Sequence, residues 1–316
     1  MASNLVALQI EILIIHKSNY SVMVDGDITL RKLQLLELKI LLEFKRICEK
    51  HNIQYFLMGG TLLGAVRHQG FIPWDDDIDI GMIRSEYVKF LTICNDELSQ
   101  EYFLQTFESD KTYPNSFAKL RLNGTEYPEP ANEITSCHKG IFIDIFPFDH
   151  VPNNHLSRKV HRFKLMILSD MCWIKYGYRI TSSTFKGKLF YHLSKLLSKL
   201  FSKTQVIKMR EHLFQKYNKK QTKFYINGSL YCYPAEIFDQ FSELEFEGIK
   251  FPVPAGYTKY LECAYGDYMR LPPEHERIRH TPYPPDFGKY VNIYSVDDVL
   301  KSITPLHRTG DTICKQ

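Results

Sequence analysis

The sequence predicts an α/β fold, a mixed sheet with flanking helices and a helical insert, and three observations predict it. Short apolar runs at residues 55–58 and 140–146 are each long enough for one buried strand, and Gly59 and Pro147 close them. Leu33, Leu36, Ile40, Phe44 and Ile47 recur at three- and four-residue spacing, one face of a helix. Between about residues 155 and 218 the composition shifts to Lys, Leu, Phe and His at helical spacing.

In order, residues 1–26 read as a poorly ordered extension. The first helix starts near Asp27 or Thr29, which can cap it, and stops at His51-Asn52. It should pack one apolar face on the sheet. Strand 55–58 runs into Gly59 and Gly60, where the missing Cβ lets the backbone turn or approach a ligand closely. Thr61 is placed to cap a helix over 62–67. Strand, Gly-Gly-Thr and helix N-terminus form a phosphate-binding geometry, because unpaired N–H groups and the positive dipole end point at the ligand. After a turn at Gly70 and Pro73, Asp75, Asp77 and Asp79 alternate along a strand, sharing one face, with Ile78, Ile80 and Asp76 on the other.

A second helix from about Ser85 shows a broad apolar face, as if wedged between layers. Strands follow at 102–107 and 117–121, the latter with Lys119 and Arg121 on one face. Residues 126–137 have loop composition and could close over a site. In strand 140–146, Asp144 shares a face with Phe142 and Phe146, an unusual place for an acid, and Pro147 ends the strand. In the insert, Leu189, Leu193, Leu196 or Leu197, and Leu200 form a stripe expected to pack on the main domain. Lys186, Lys188, Lys195, Lys199, Lys203 and Lys208 make the insert basic, so the alternative is a helix lying on an anionic membrane surface. Hairpins are expected at 224–233 and 244–254. A helix over 257–265 is closed by Gly266, and beyond Thr281 an extended tail carries a short helix at 296–302.

Composition narrows the function. The 316 residues suffice for one large domain or two small ones, and 44% hydrophobic with 24% charged residues is ordinary for a soluble globular chain. A net charge of +4 does not call for nucleic acid. The seven cysteines are scattered without a Cys-x-x-Cys pair, which argues against a disulfide framework or zinc site and for a reducing compartment. No apolar stretch reaches the roughly 20 residues that span a bilayer. The first 15 residues contain Glu11 and lack a basic start, a poor match to a signal peptide. The expected location is cytoplasmic, with peripheral contact at the inner membrane face as an option.

Lined-up acids repel one another, and burying them unpaired costs several kcal/mol. A divalent cation removes both penalties, and Mg²⁺ favours one or two carboxylates plus substrate phosphates. Asp75, Asp77, Asp79 and Glu86 also occupy the first, third, fifth and twelfth positions of a calcium loop, but Ile80 stands where that loop's sharp turn needs glycine. Against a solvated acidic face, which Ile78, Ile80 and Trp74 disfavour, the reading is metal-assisted phosphoryl or nucleotidyl transfer.

The run from Gly60 to Gly81, GTLLGAVRHQGFIPWDDDIDIG, resembles the LicD family of phosphocholine transferases. So do GIFIDIFPFD at 140–149, EFEGIKFPVP at 245–254 and YGDYMRLPP at 265–273. The resemblance covers about residues 30–273. It implies a polymerase-β-like nucleotidyltransferase fold, related to the fukutin-type sugar phosphotransferases. It implies a catalytic core at 27–154, the basic helical insert at 155–218, the rest of the family domain at 219–280 and a tail at 281–316. It further implies that Asp77, Asp79 and Asp144 hold Mg²⁺ (or Mn²⁺), with Asp144 a further ligand or the base. Gly59, Gly60 and Thr61 would lie at the donor diphosphate, Lys119 and Arg121 would offset its charge, and Arg67 and Trp74 would line the substrate. The reaction implied transfers phosphocholine from CDP-choline to a sugar hydroxyl of a lipopolysaccharide or teichoic acid type glycan, which can be lipid-linked, and releases CMP. Alternatives are ribitol or glycerol phosphate from their CDP donors, a nucleotidyl transfer releasing pyrophosphate, or an inactive nucleotide-binding module.

Overall fold

The first helix, α1 (Asp25–Lys50), is buried on nearly every side, not along one face. This computed structural model describes residues 25–130, 135–178 and 184–303; the extension read at 1–26 lies outside the described residues up to position 24, and Cys314 does too. One side of α1 meets the sheet, and its polar positions are tied down individually. Gln34 donates to the Asp75 carbonyl (2.9 Å), and Lys39 donates to the carbonyl and hydroxyl oxygens of Ser302 (3.1 and 3.2 Å). The C-terminal segment, expected as an extended tail, therefore covers the other side of α1, with Tyr290, Ile293 and Val299 buried.

A seven-stranded sheet carries the site. Its main path runs β1 (Phe56–Leu57), β2 (Asp79–Ile83), β5 (Phe142–His150), β4 (Ala118–Leu122), β3 (Tyr102–Gln105), and β6 (Phe224–Ile226) pairs both β5 and β7 (Cys232–Pro234). Among the described strands only β2 and β5 run parallel, and their register sets Asp79 beside Asp144. On the other side of β5, Lys119 pairs with Asp144. Two strand boundaries differ from the sequence reading. β2 begins at Asp79, so residues 75–78 lead into the strand without being part of it. β5 continues through Pro147: Asp144 N–H donates to Ile78 on the β2 side, so alternation puts the proline nitrogen on the opposite edge. There β4 has not yet begun and β6 pairs only from Asp149, so no ladder donor is missed.

Helix α2 (Gly59–His68) follows β1, and α3 (Arg84–Glu97) follows β2. α3 buries Tyr87, Phe90 and Cys94 and leaves Val88 half exposed, so it lies on one layer and is not wedged between two. A separate hairpin, β8 (Phe241–Phe246) with β9 (Ile249–Pro254), turns at Glu247 and Gly248, both at positive φ, as a two-residue turn requires. Then come α7 (Tyr257–Tyr265), ended by Gly266, and α8 (Val296–Ser302).

The insert is three helices, α4 (His155–Lys175), α5 (Phe185–Ser198) and α6 (Lys203–Gln215). α6 anchors it: Arg210 donates to the carbonyls of Pro114 (2.6 Å) and Asn115 (2.9 Å), and Phe214 packs with Val151, Leu165 and Ile226. α5 packs on α4 through Gly187, Ser194 and Ser198. Its leucine stripe was expected to pack on the main domain. Instead Leu189, Leu193, Leu196 and Leu200 are 62, 40, 62 and 70% exposed, because the small residues opposite them allow the close approach to α4. No described helix is long and apolar enough to cross a membrane. Cys48, Cys94, Cys137 and Cys172 are buried free thiols.

Candidate active site

Two glycines decide where the acids can go. Gly59, at φ +57°, begins α2, and a Cβ on it would overlap the Asp79 carboxylate; a Cβ on Gly60 would overlap that of Asp75. The helix N-terminus thus receives the chain's own carboxylates, which its dipole favours. Thr61 is not the N-cap. Met58 holds that position, and the buried Thr61 hydroxyl accepts the Asp79 backbone N–H (2.8 Å), fixing the first residue of β2. Gly59 N–H donates to the Tyr260 hydroxyl on α7 (3.1 Å).

Asp75, Asp76 and Asp77 all approach the imidazole of His280, whose Nδ1 lies 3.9, 3.0 and 3.6 Å from their carboxylate oxygens. Asp76 is 1% exposed and accepts from Tyr127 (2.6 Å), from the backbone N–H groups of His280 (2.8 Å) and Thr281 (2.9 Å), and from His280 Nδ1. Burial pushes its carboxyl up, yet the hydrogen bonds from His280 and Tyr127 outweigh it and hold it below the usual range. The charge of Asp77, then the bond to Asp76, pushes His280 up to about 11. Asp76 therefore serves as a latch between the acid loop and the C-terminal segment.

The other acids move the opposite way. Burial, then the neighbouring Asp77, raises Asp75; burial, then Asp77 and Asp144, raises Asp79; burial raises Asp77. Burial lifts Asp144 to about 7 even though Lys119 Nζ, 2.6 Å from its Oδ1, pulls it down. Buried acids that raise one another are a donor set short of positive charge, and hard oxygen donors suit a divalent cation. By geometry the tightest metal-compatible group among the described residues is Asp75, Asp76 and His280, whose ligand atoms lie within 4.8 Å of one another. Its chemistry is less suited, since Asp76 already accepts four hydrogen bonds and His280 is cationic.

The remaining expected residues fall around this centre. Lys119 is 1% exposed and bridges Asp144 and Glu129 (3.1 Å). Arg121, fully buried, donates to Gln105 (2.5 Å), the Gly140 carbonyl (2.7 Å) and Glu129 (3.1 Å), so it reaches the acids only through Glu129. Arg67 donates to the Tyr268 carbonyl (2.8 Å). Trp74 is half-buried, with the Arg277 guanidinium 4.9 Å from its ring centroid. Sequence reasoning did not assign Glu129, Tyr127, Arg277 or His280 to the site. Their segments lack periodicity, and nothing in the local spacing ties His280 to acids some 200 residues earlier.

A mixed sheet with acids side by side on parallel neighbours, set against a Gly-Gly helix start, defines a nucleotidyltransferase-like α+β protein. The model of the family LicD/FKTN/FKRP, nucleotidyltransferase domain, matches residues 52–177. The lipopolysaccharide cholinephosphotransferase LicD of Haemophilus influenzae is 35% identical over 268 residues, 80% of this chain and 96% of that protein. The human ribitol 5-phosphate transferase FKRP is 50% identical over 36 residues, 11% of this chain and 7% of its own length. An uncharacterized protein of Rickettsia typhi is 57% identical over 44 residues, 14% of each chain. The chain belongs to the LicD family.

Proposed function

We propose that this protein is a phosphotransferase that moves phosphocholine from CDP-choline to a sugar hydroxyl of a cell-surface glycan and releases CMP. The observation that carries the reading is the register pairing of Asp79 with Asp144 at the start of α2, in a chain that matches nearly the whole length of the Haemophilus influenzae cholinephosphotransferase.

Asp77 and Asp79 would hold Mg²⁺ or Mn²⁺, which when bound neutralises the diphosphate and polarises its phosphoryl oxygens, with Asp144 beside them as the base. Gly59, Gly60 and Thr61 serve the diphosphate by fixing the acids that meet it. Lys119 holds one oxygen of Asp144 and leaves the other to take the acceptor proton. The acceptor oxygen then bonds to the choline-bearing phosphorus, and the bond from that phosphorus to the CMP oxygen breaks. Arg121 positions Lys119 through their shared Glu129. The Trp74 ring attracts a cation, the Arg277 guanidinium lying 4.9 Å from its centroid, and a choline head group would have to take that guanidinium's place. The local match to a ribitol 5-phosphate transferase supports a second reading, ribitol phosphate transfer.

The two separate in a donor competition. CMP release from CDP-choline and CDP-ribitol is followed with and without EDTA in the presence of a glycan acceptor extract. Turnover of CDP-choline that EDTA abolishes supports the proposal; turnover of CDP-ribitol alone replaces it with the second reading.

A further inference from the structure

Seven exposed apolar side chains gather on two neighbouring helices of the insert. On α5, Leu189, Leu193, Leu196 and Leu200 recur at four, three and four residues, so they share a narrow arc of the helix and its C-terminal extension. On α4, Leu156, Val160 and Phe163 form a second arc, 70, 46 and 48% exposed. The Phe163 ring meets Phe190 of α5 edge-on, with centroids 5.6 Å apart, beside the leucine arc. Scattered exposed apolar residues need no explanation, but a contiguous stripe of this kind marks an interaction surface.

Charge identifies the occupant. Residues 155–200 contain ten lysines and arginines and a single acid, Asp170. That acid is turned inward between the helices, with Ser194 Oγ 3.5 Å from its Oδ2. Lys188, Lys195 and Lys199 are exposed along one flank of the leucine arc, and Lys159 and Lys164 flank the arc on α4. Lys203 is different: it donates to the Lys111 carbonyl (2.7 Å) and sits over the Tyr176 ring, so it belongs to the packing of the insert. An apolar arc flanked by exposed lysines matches the boundary between acyl chains and anionic phosphate head groups. A protein partner of ordinary composition would be met by mixed charge.

We propose that this face docks the enzyme on an anionic phospholipid bilayer, with the α5 leucines at the acyl boundary and Lys188, Lys195 and Lys199 on the lipid phosphates. Docking would leave the protein peripheral and hold the site near a lipid-borne acceptor.

The test is co-sedimentation of the full chain with vesicles of phosphatidylcholine alone and with 30% phosphatidylglycerol. The parent is expected to bind the anionic vesicles and not the neutral ones, and 0.5 M NaCl should weaken binding. L193Q/L196Q should lose binding with an unchanged circular dichroism spectrum. K188Q/K195Q/K199Q should bind on the order of a hundredfold more weakly. Absence of parent binding to anionic vesicles overturns the proposal, as does binding that the leucine variant retains. A dimer in light scattering that L193Q/L196Q dissolves assigns the face to a second copy of the chain and overturns it too.

Discussion

Substituting Gly59 by alanine tests the acid arrangement most sharply, because the structure separates its two consequences. A residue other than glycine at φ +57° costs about 1–2 kcal/mol of backbone strain. For a chain of this size that lowers Tm by roughly 1.5–3 °C. The new methyl would also overlap the Asp79 carboxylate, which must swing away from the helix N-terminus. A displacement of about 1 Å at a reacting centre costs on the order of a hundredfold in rate. Gly248→Ala supplies the control. Gly248 has φ +76° in the β8–β9 turn, and nothing lies within 4 Å of where its methyl would stand, so strain is present and collision absent. Melting curves and CMP release should therefore diverge. Both variants lose a few degrees, and only Gly59→Ala loses about two orders of magnitude in kcat. Equal activity of the two variants would refute the idea that Gly59 exists to seat Asp79.

Other outcomes follow from the same geometry. Asp77→Asn and Asp79→Asn should each abolish transfer while the melting temperature holds or rises, since each removes a carboxylate whose charged form burial penalises; unaltered turnover of either purified variant would sink the assignment. Trp74→Ala should weaken CDP-choline more than CDP-glycerol by roughly 0.5–2 kcal/mol, read by titration calorimetry, and equal losses would remove Trp74 from the head-group site. Burial raises Asp170 to about 7. Its folded pKa lies above the unfolded one, so its favourable contribution is complete below about pH 4 and is lost as pH rises through 7. Asp170→Asn should therefore stabilise the protein against urea at pH 8, by up to a few kcal/mol, and leave it unchanged near pH 4; a gain equal at both pH values would contradict this.

Much of the framework was legible because local patterns carried it. The stripe at Leu33, Leu36 and Ile40 marked α1, the lone Asp144 between phenylalanines marked its strand, and Gly266 marked the end of α7. The misreadings share a cause: local pattern was overruled by distant contacts. Thr61 looked like a cap, yet its hydroxyl serves the backbone of Asp79. Asp75 to Asp77 looked like a strand, yet His280 gathers them from one side. Pro147 looked like a stop, but whether a proline breaks a strand depends on which neighbour its nitrogen faces. The leucines of α5 looked like core, since periodicity reports an apolar face and not what lies against it.

The central claim is that the choline-bearing phosphorus is attacked, with Asp144 receiving the acceptor proton. Mass spectrometry of the products from CDP-choline and a candidate aminosugar acceptor tests it most directly. CMP together with a phosphocholine-bearing sugar is the expected result; free phosphocholine together with a CMP-sugar would contradict it.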